Sequence, residues 1–176
     1  LNFVSNTHVA ADIIGTGVGA KMAERGLAQV VFEYPGYGAA LGATNAKSAI
    51  EDGVAAVRFL RAQYPNRKIY LLGHSIGAGF SYEVAARIGE ELAGVLIYGG
   101  IKSVMRQVED QQGVGPDFVS KCVLWVLSGD GELLDFEKSV DRILARNPKL
   151  KFAILHGRND YSVPPGHVDG VWNSIN

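Results

Sequence analysis

An α/β fold built on a doubly wound, mostly parallel sheet is the class this sequence predicts, and three observations carry the prediction. Short apolar, β-rich runs alternate along the chain with segments of helical period. The runs are continuously apolar rather than alternating, as strands covered on both faces of a parallel sheet must be. Turn-rich loops follow several of the runs, at what becomes the carboxyl edge of the sheet, where open α/β sheets bind ligands. The 176 residues suffice for one domain with its own core, because a chain of roughly 150 residues buries about two-thirds of its unfolded surface.

In chain order, "LNFV" (1–4) reads as the first strand and Gly19 to Arg25 as a short helix. "AQVVFEY" (28–34) is the second apolar run. The clearest helix spans Asn45 to Tyr64, where Ile50, Val54, Val57 and Leu60 form one stripe. Thr44 or Asn45 caps its start and Pro65 ends it. "KIYLLG" (68–73) follows as a strand, then a helix from Ile76 to Gly89, whose Gly77, Ala78 and Gly79 allow close approach to the sheet. "GVLIYG" (94–99) is the next strand. Between Gly100 and Pro148 the rhythm breaks, with more chain than one crossover requires. "VEDQQGVGPDF" is polar and "VSKCVLWVLSG" apolar, so a small lid or cap inserted near 100–135 is expected, leading into a helix from Phe136 to Arg146. "KFAILHG" (151–157) is the last strand, and "VDGVWNSIN" opens a further helix.

Composition narrows the functional classes. A net charge of -1 with no block of like charge gives no footprint for nucleic acid or an acidic membrane surface. The one cysteine, Cys122, excludes an internal disulfide and a cysteine-rich zinc site, and its neighbours in "KCVLWVL" suit core packing. Neither a signal peptide nor an apolar span of roughly 20 residues occurs in this stretch. Both ends read as cut, so an anchor in missing termini stays open, and a cytoplasmic location is favoured.

The chemistry centres on "YLLGHSIGAG" (70–79). Gly73-His74-Ser75-Ile76-Gly77 fits G-x-S-x-G, and it follows a strand and opens a helix, as a nucleophile elbow must. On so tight a turn the serine takes a sparsely allowed conformation and its flanks must be small. Ser75 then sits at a helix N-terminus, where the dipole and the free N–H of Ile76 suit a developing oxyanion. The competing reading is an ordinary glycine-rich turn with Ser75 as N-cap. "FEYPGYGAALGAT" and "ILHGRNDYSVPPGH" weigh against it. The second puts Asp160 on a loop past the last strand, and strand–Ser followed by strand–Asp is the chain order of a hydrolase triad.

On "EYPGYG", "GHSIGAG" and "LHGRNDYSVPPGH", spanning residues 33 to 167, the sequence resembles the α/β-hydrolase superfamily. The nearest likeness is to its serine-hydrolase branch with monoacylglycerol-lipase-like and serine-aminopeptidase-like proteins. The resemblance implies a three-layer sandwich lacking its last strand and helix, Ser75 as nucleophile and Asp160 as the acid that orients a histidine. It implies a small acyl ester, thioester, lipid-like or peptide substrate, and no metal or organic cofactor. Tyr34, Tyr37, Ile101 and the insert are placed to shape the acyl pocket.

Two features depart from that family. The usual His-Gly after the first strand is replaced by Ser5-Asn6-Thr7, so Asn6 stands in for the glycine and the Thr7 N–H for the second oxyanion donor. The family's general base lies roughly 25 to 30 residues beyond the acid, past Asn176. The four histidines offer no clear substitute: His74 supports the elbow, His8 has no assigned role, His156 is structural, and His167 lines the following helix or, alternatively, replaces the base. These 176 residues alone are therefore expected to be nearly inactive.

Two rival functions remain. Gly15, Gly17 and Ala20 in "GTGVGA", with Glu33 eighteen residues after Gly15, fit a dinucleotide fingerprint, which requires a strand at Ala11 to Ile14. A hydrolase fold that has lost its base also serves as a non-catalytic binding or scaffold module.

Overall fold

The computed structural model describes residues 1–5, 8–43, 45–110 and 135–175. Four parallel strands lie side by side in chain order: β1 (Asn2–Phe3), β2 (Tyr70–His74), β3 (Gly94–Tyr98) and β4 (Lys151–Leu155). The register runs through Asn2, Leu72, Leu96 and Ala153. The run at 28–34 contributes one parallel bridge, Val31 to Asn2, with the Asn2 N–H donating to Val30 O at 2.8 Å. It is not a full strand, because its neighbour β1 is two residues long and offers few ladder groups.

Helix α3 (Ala46–Gln63) matches the predicted stripe. Asn45 caps it, its side chain accepting from Ser48 N at 2.7 Å. Helix α4 (Ile76–Ile88) is buried along nearly its whole length and touches β1, β2 and β3, with α3 and α6 (Phe136–Arg146) packed on it. The core is therefore the layer between α4 and the sheet, held by Phe3, Leu71, Ile97, Phe80 and Val84. α6 turns Phe136, Val140 and Ile143 inward. Its end satisfies the orphan carbonyls of α4: Arg146 Nη1 donates to Ala86 O and Arg87 O, and Asn147 Nδ2 to Gly89 O.

One charge lies inside this interface. Glu83 on α4 is fully buried, takes a hydrogen bond from Ser139 Oγ and pairs with Arg142 Nη2 at 2.5 Å. Arg142→Ala is expected to lower stability by about 2 kcal/mol in urea unfolding, below the usual cost of stranding a buried charge because Arg142 is half exposed.

The glycine-rich segment after β1 departs from expectation. Helices α1 (Ala10–Gly15) and α2 (Val18–Ala23) replace the single helix predicted from residue 19. Gly17, at φ 72°, breaks them apart. Ala11 to Ile14 are helical, so the strand that a dinucleotide fingerprint requires is absent and that reading is overturned. Helix α5 (Val104–Asp110) opens the region read as an insert. Residues 111–134, with Cys122, lie outside the described residues. Helix α7 (Gly166–Ile175) packs on α6. Among the described residues no helix is long and apolar enough to cross a membrane.

Candidate active site

Ser75 stands between β2 and α4 at φ 55°, ψ -122°, and is the one non-glycine residue at positive φ among those described. Such a conformation costs on the order of 1–3 kcal/mol and persists only where its surroundings over-determine it. They do so here. The Ser75 N–H donates to Tyr98 O at 3.2 Å, and its carbonyl accepts from Ala78 N at 3.0 Å. A Cβ on Gly73 would lie 2.5 Å from Ala78 Cα, and one on Gly77 would lie 2.3 Å from Phe3 O. Both glycines of the G-x-S-x-G stretch are thus required by contact. Ser75 occupies the N-cap position of α4, yet its side chain makes no capping hydrogen bond, so capping does not explain the serine. Ile76 begins the helix, where the first amides have no intrahelical acceptor.

Asp160 lies on the loop after β4. Its Oδ1 accepts from Ser162 N and Val163 N, both at 2.9 Å, and its own N–H donates to Gly157 O at 3.2 Å. Its Oδ2 faces Gly99, the residue just past β3, at φ 52°: a Cβ there would lie 3.7 Å from Oδ2 and 3.7 Å from His74 Cδ2. One oxygen anchors the loop, while the other lies beside Gly99 at the end of β3. His74 stacks on Tyr98 with centroids 4.8 Å apart and faces His8 at 6.1 Å. Burial and then His8 lower its pKa, with Asp160 opposing, so the ring is neutral at pH 7.

His167 is not free to act as a base. Its Nδ1 accepts from Lys102 N at 3.0 Å, so Nε2 carries the proton, which it donates to Asp110 Oδ2 at 3.1 Å. The ring is 1% exposed and burial chiefly holds its pKa down, with Asp110 opposing. No ring nitrogen remains to take a proton from Ser75, which removes the substitution weighed for it. His156 Nε2 donates to Val163 O at 2.7 Å, so this ring holds the same loop.

The segment on the other side of the elbow is held by two residues, Glu33 and Tyr34, through partners that the sequence does not reveal. Tyr34 donates to Val4 O at 2.9 Å, and Glu33 Oε1 accepts from Ala10 N at 2.7 Å. Glu33 is thus a clamp on the start of α1, not a ribose ligand. Tyr34 and Ile101 are fully buried in the core and do not wall a pocket; Tyr37 alone of the three predicted pocket residues keeps partial exposure. Asn6 and Thr7 lie outside the described residues, while Ser5 Oγ and His8 Nδ1 flank them 2.5 Å apart. Among the described residues no group of three His, Cys, Asp or Glu side chains is arranged to hold a metal ion.

A family model for serine aminopeptidase (peptidase family S33) matches residues 14–149, most of the chain and the whole elbow. The chain belongs to this hydrolase family. Among the relatives of this serine aminopeptidase-family chain, the uncharacterized protein YfhR of Salmonella typhimurium is 25% identical over 150 residues, covering 80% of this chain and 47% of the relative. YfhR of Escherichia coli is 23% identical over 154 residues, with 85% and 49% covered. The chain therefore spans about half the length of the curated relatives it matches. Among solved structures, an α-β serine hydrolase homologue from Coxiella burnetii superposes with a TM-score of 0.57 at 20% identity, covering 92% of this chain and 60% of that one. The esterase Pf2001 of Pyrococcus furiosus gives 0.67 at 17%, with 91% and 59% covered. The monoacylglycerol lipase of Paleococcus ferrophilus gives 0.55 at 18%, with 83% and 68% covered. At these identities the likeness establishes the α/β-hydrolase fold.

Proposed function

We propose that the whole protein is a serine hydrolase of carboxylic esters, thioesters or peptides, with Ser75 as nucleophile and Asp160 as the acid. The observation that carries this is the strained backbone of Ser75, whose hydroxyl caps nothing although it stands at a helix N-terminus. The place of Asp160 Oδ2 beside Gly99, just past the strand that neighbours β2, supports it, as does membership of a hydrolase family. An esterase and a monoacylglycerol lipase among the structural neighbours favour a small acyl ester.

Ser75 Oγ attacks the acyl carbonyl while a histidine takes its proton; the C–O bond to the nucleophile forms and the carbonyl electrons move to oxygen. The N–H of Ile76 and that of Thr7 stabilise the oxyanion. The histidine returns its proton to the departing alcohol, thiol or amine, and water then releases the acid and frees Ser75. Both ring nitrogens of His167 are already bonded and the chain spans about half the length of its curated relatives, so we assign the base to a histidine outside residues 1–176, oriented by Asp160.

The test is acylation of the whole protein by p-nitrophenyl acetate. A burst of p-nitrophenolate is expected, with the acetyl group mapped by mass spectrometry to the peptide containing Ser75. Asp160→Asn should lower kcat by about 10⁴-fold, as loss of the orienting acid does in triads of this kind. Acetyl on a different side chain, or an unchanged rate in Asp160→Asn, overturns the assignment. No burst at all favours the binding module.

A further inference from the structure

The loop carrying Asp160 is open to solvent on its outer side, where Arg158, Asn159 and Tyr161 are exposed, so its shape must be imposed from within. The two amides that grip Asp160 Oδ1 belong to Ser162 and Val163. The carbonyls of those same two residues are gripped in turn. Gln107 Nε2, from α5, donates to Ser162 O at 2.5 Å, and His156 Nε2 donates to Val163 O. Gln107 is fully buried. Its helix is fastened to α7 by His167, which bonds Asp110 at one end of α5 and the Lys102 amide just before it. A continuous relay therefore runs from α7 through His167 and α5 to Gln107, then through Ser162 to the carboxylate.

The geometry points to Gln107 as a positioning residue for Asp160, acting through Ser162, with His167 holding α5 in the place from which Gln107 reaches. This rests on the reading of Asp160 as the acid of a serine hydrolase. Gln107 is not required to bury apolar surface: it is a fully enclosed amide, and its Oε1 has no partner among the described residues. An enclosed amide with only its donor used is costly to keep unless that donor matters. Losing it releases the Ser162 peptide, and a carboxylate displaced by even about 1 Å from its histidine costs up to about 10²-fold in rate.

The experiment compares Gln107→Leu, His167→Leu and His167→Asn in the whole protein, with p-nitrophenyl butyrate as substrate. Gln107→Leu is expected to reduce kcat by about 10- to 100-fold with KM changed less than about twofold. The acid limb of kcat/KM should move to lower pH, because a carboxylate that has drifted no longer favours the protonated base. His167→Leu should behave alike, and His167→Asn, which keeps an acceptor for the Lys102 amide, should recover much of the loss. In the 176-residue chain, Gln107→Leu should also speed amide exchange at Ser162 and Val163 by about tenfold or more. Wild-type kcat and pH limb in Gln107→Leu, with only a lower Tm, overturn the inference. If Gln107→Leu does not fold, the contrast between His167→Leu and His167→Asn decides in its place. Ser75→Ala is the control: a rate that survives it condemns the serine reading, whereas a rate lost in Ser75→Ala but untouched by Gln107→Leu condemns only the relay.

Discussion

Ser75→Ala in the whole protein is expected to lower kcat for an activated ester by about 10⁴-fold or more, with KM nearly unchanged. In the proposed mechanism the hydroxyl alone forms the covalent intermediate, while the proposed oxyanion donors would still bind substrate. Steady-state kinetics with a p-nitrophenyl ester measures this directly. The same position yields a stability result that needs no activity. At φ 55° an alanine keeps the strain that serine bears, whereas a glycine adopts that conformation freely. Ser75→Gly should therefore be more stable than Ser75→Ala, by about 1 kcal/mol in urea unfolding. Equal stabilities would mean that the turn relaxes once the hydroxyl is gone. Retained hydrolysis in both variants would move the nucleophile elsewhere.

Gly77→Ala is expected to be the most disruptive single methyl addition at the elbow. The added carbon would meet Phe3 O at 2.3 Å and Val4 O at 2.5 Å, both backbone atoms of the first strand and its exit. Backbone cannot swing aside as a side chain does, so α4 must shift away from the sheet. Because α4 is the central buried helix, the shift disturbs its packing against α3 and α6 as well. A loss of about 3 kcal/mol is expected, at the upper end of ordinary overpacking costs. Val4 is also the residue whose carbonyl Tyr34 holds, so the variant should lose acylation rate beyond its loss of stability. A chemical-denaturation midpoint within error of wild type would show that β1 moves freely and that the elbow is less rigid than its contacts imply.

The parts of the molecule that could be read from sequence are those decided locally. α3 follows from a cap at Asn45, an apolar stripe and a proline; β2 and α4 follow from an apolar run ending in G-x-S-x-G. The run at 28–34 has the composition of a strand, but whether it pairs depends on how much of β1 is there to meet it, and that is a tertiary matter. The division of the first helix turns on one glycine at positive φ, which no periodicity reveals. The site divides in the same way. The turns that carry Ser75 and Asp160, the two residues proposed for the chemistry, are legible because they are encoded within a few residues. Glu33 suggested a ribose ligand because its spacing from Gly15 matched, yet its partner is the Ala10 amide across a different loop. His167 and Gln107 find their partners 55 to 65 residues away in sequence, and only the packing of α5 brings them together.

The way Asp160 is held bears on how this loop tolerates change. Its fixed oxygen is gripped by main-chain amides, which every residue except proline supplies, and the Arg158, Asn159 and Tyr161 side chains take no part in the grip. Those three positions face solvent on the loop that carries Asp160. Single substitutions at these three positions should therefore leave the Asp160 carboxylate where it is, so the outer surface of the loop can change without moving the residue at its centre.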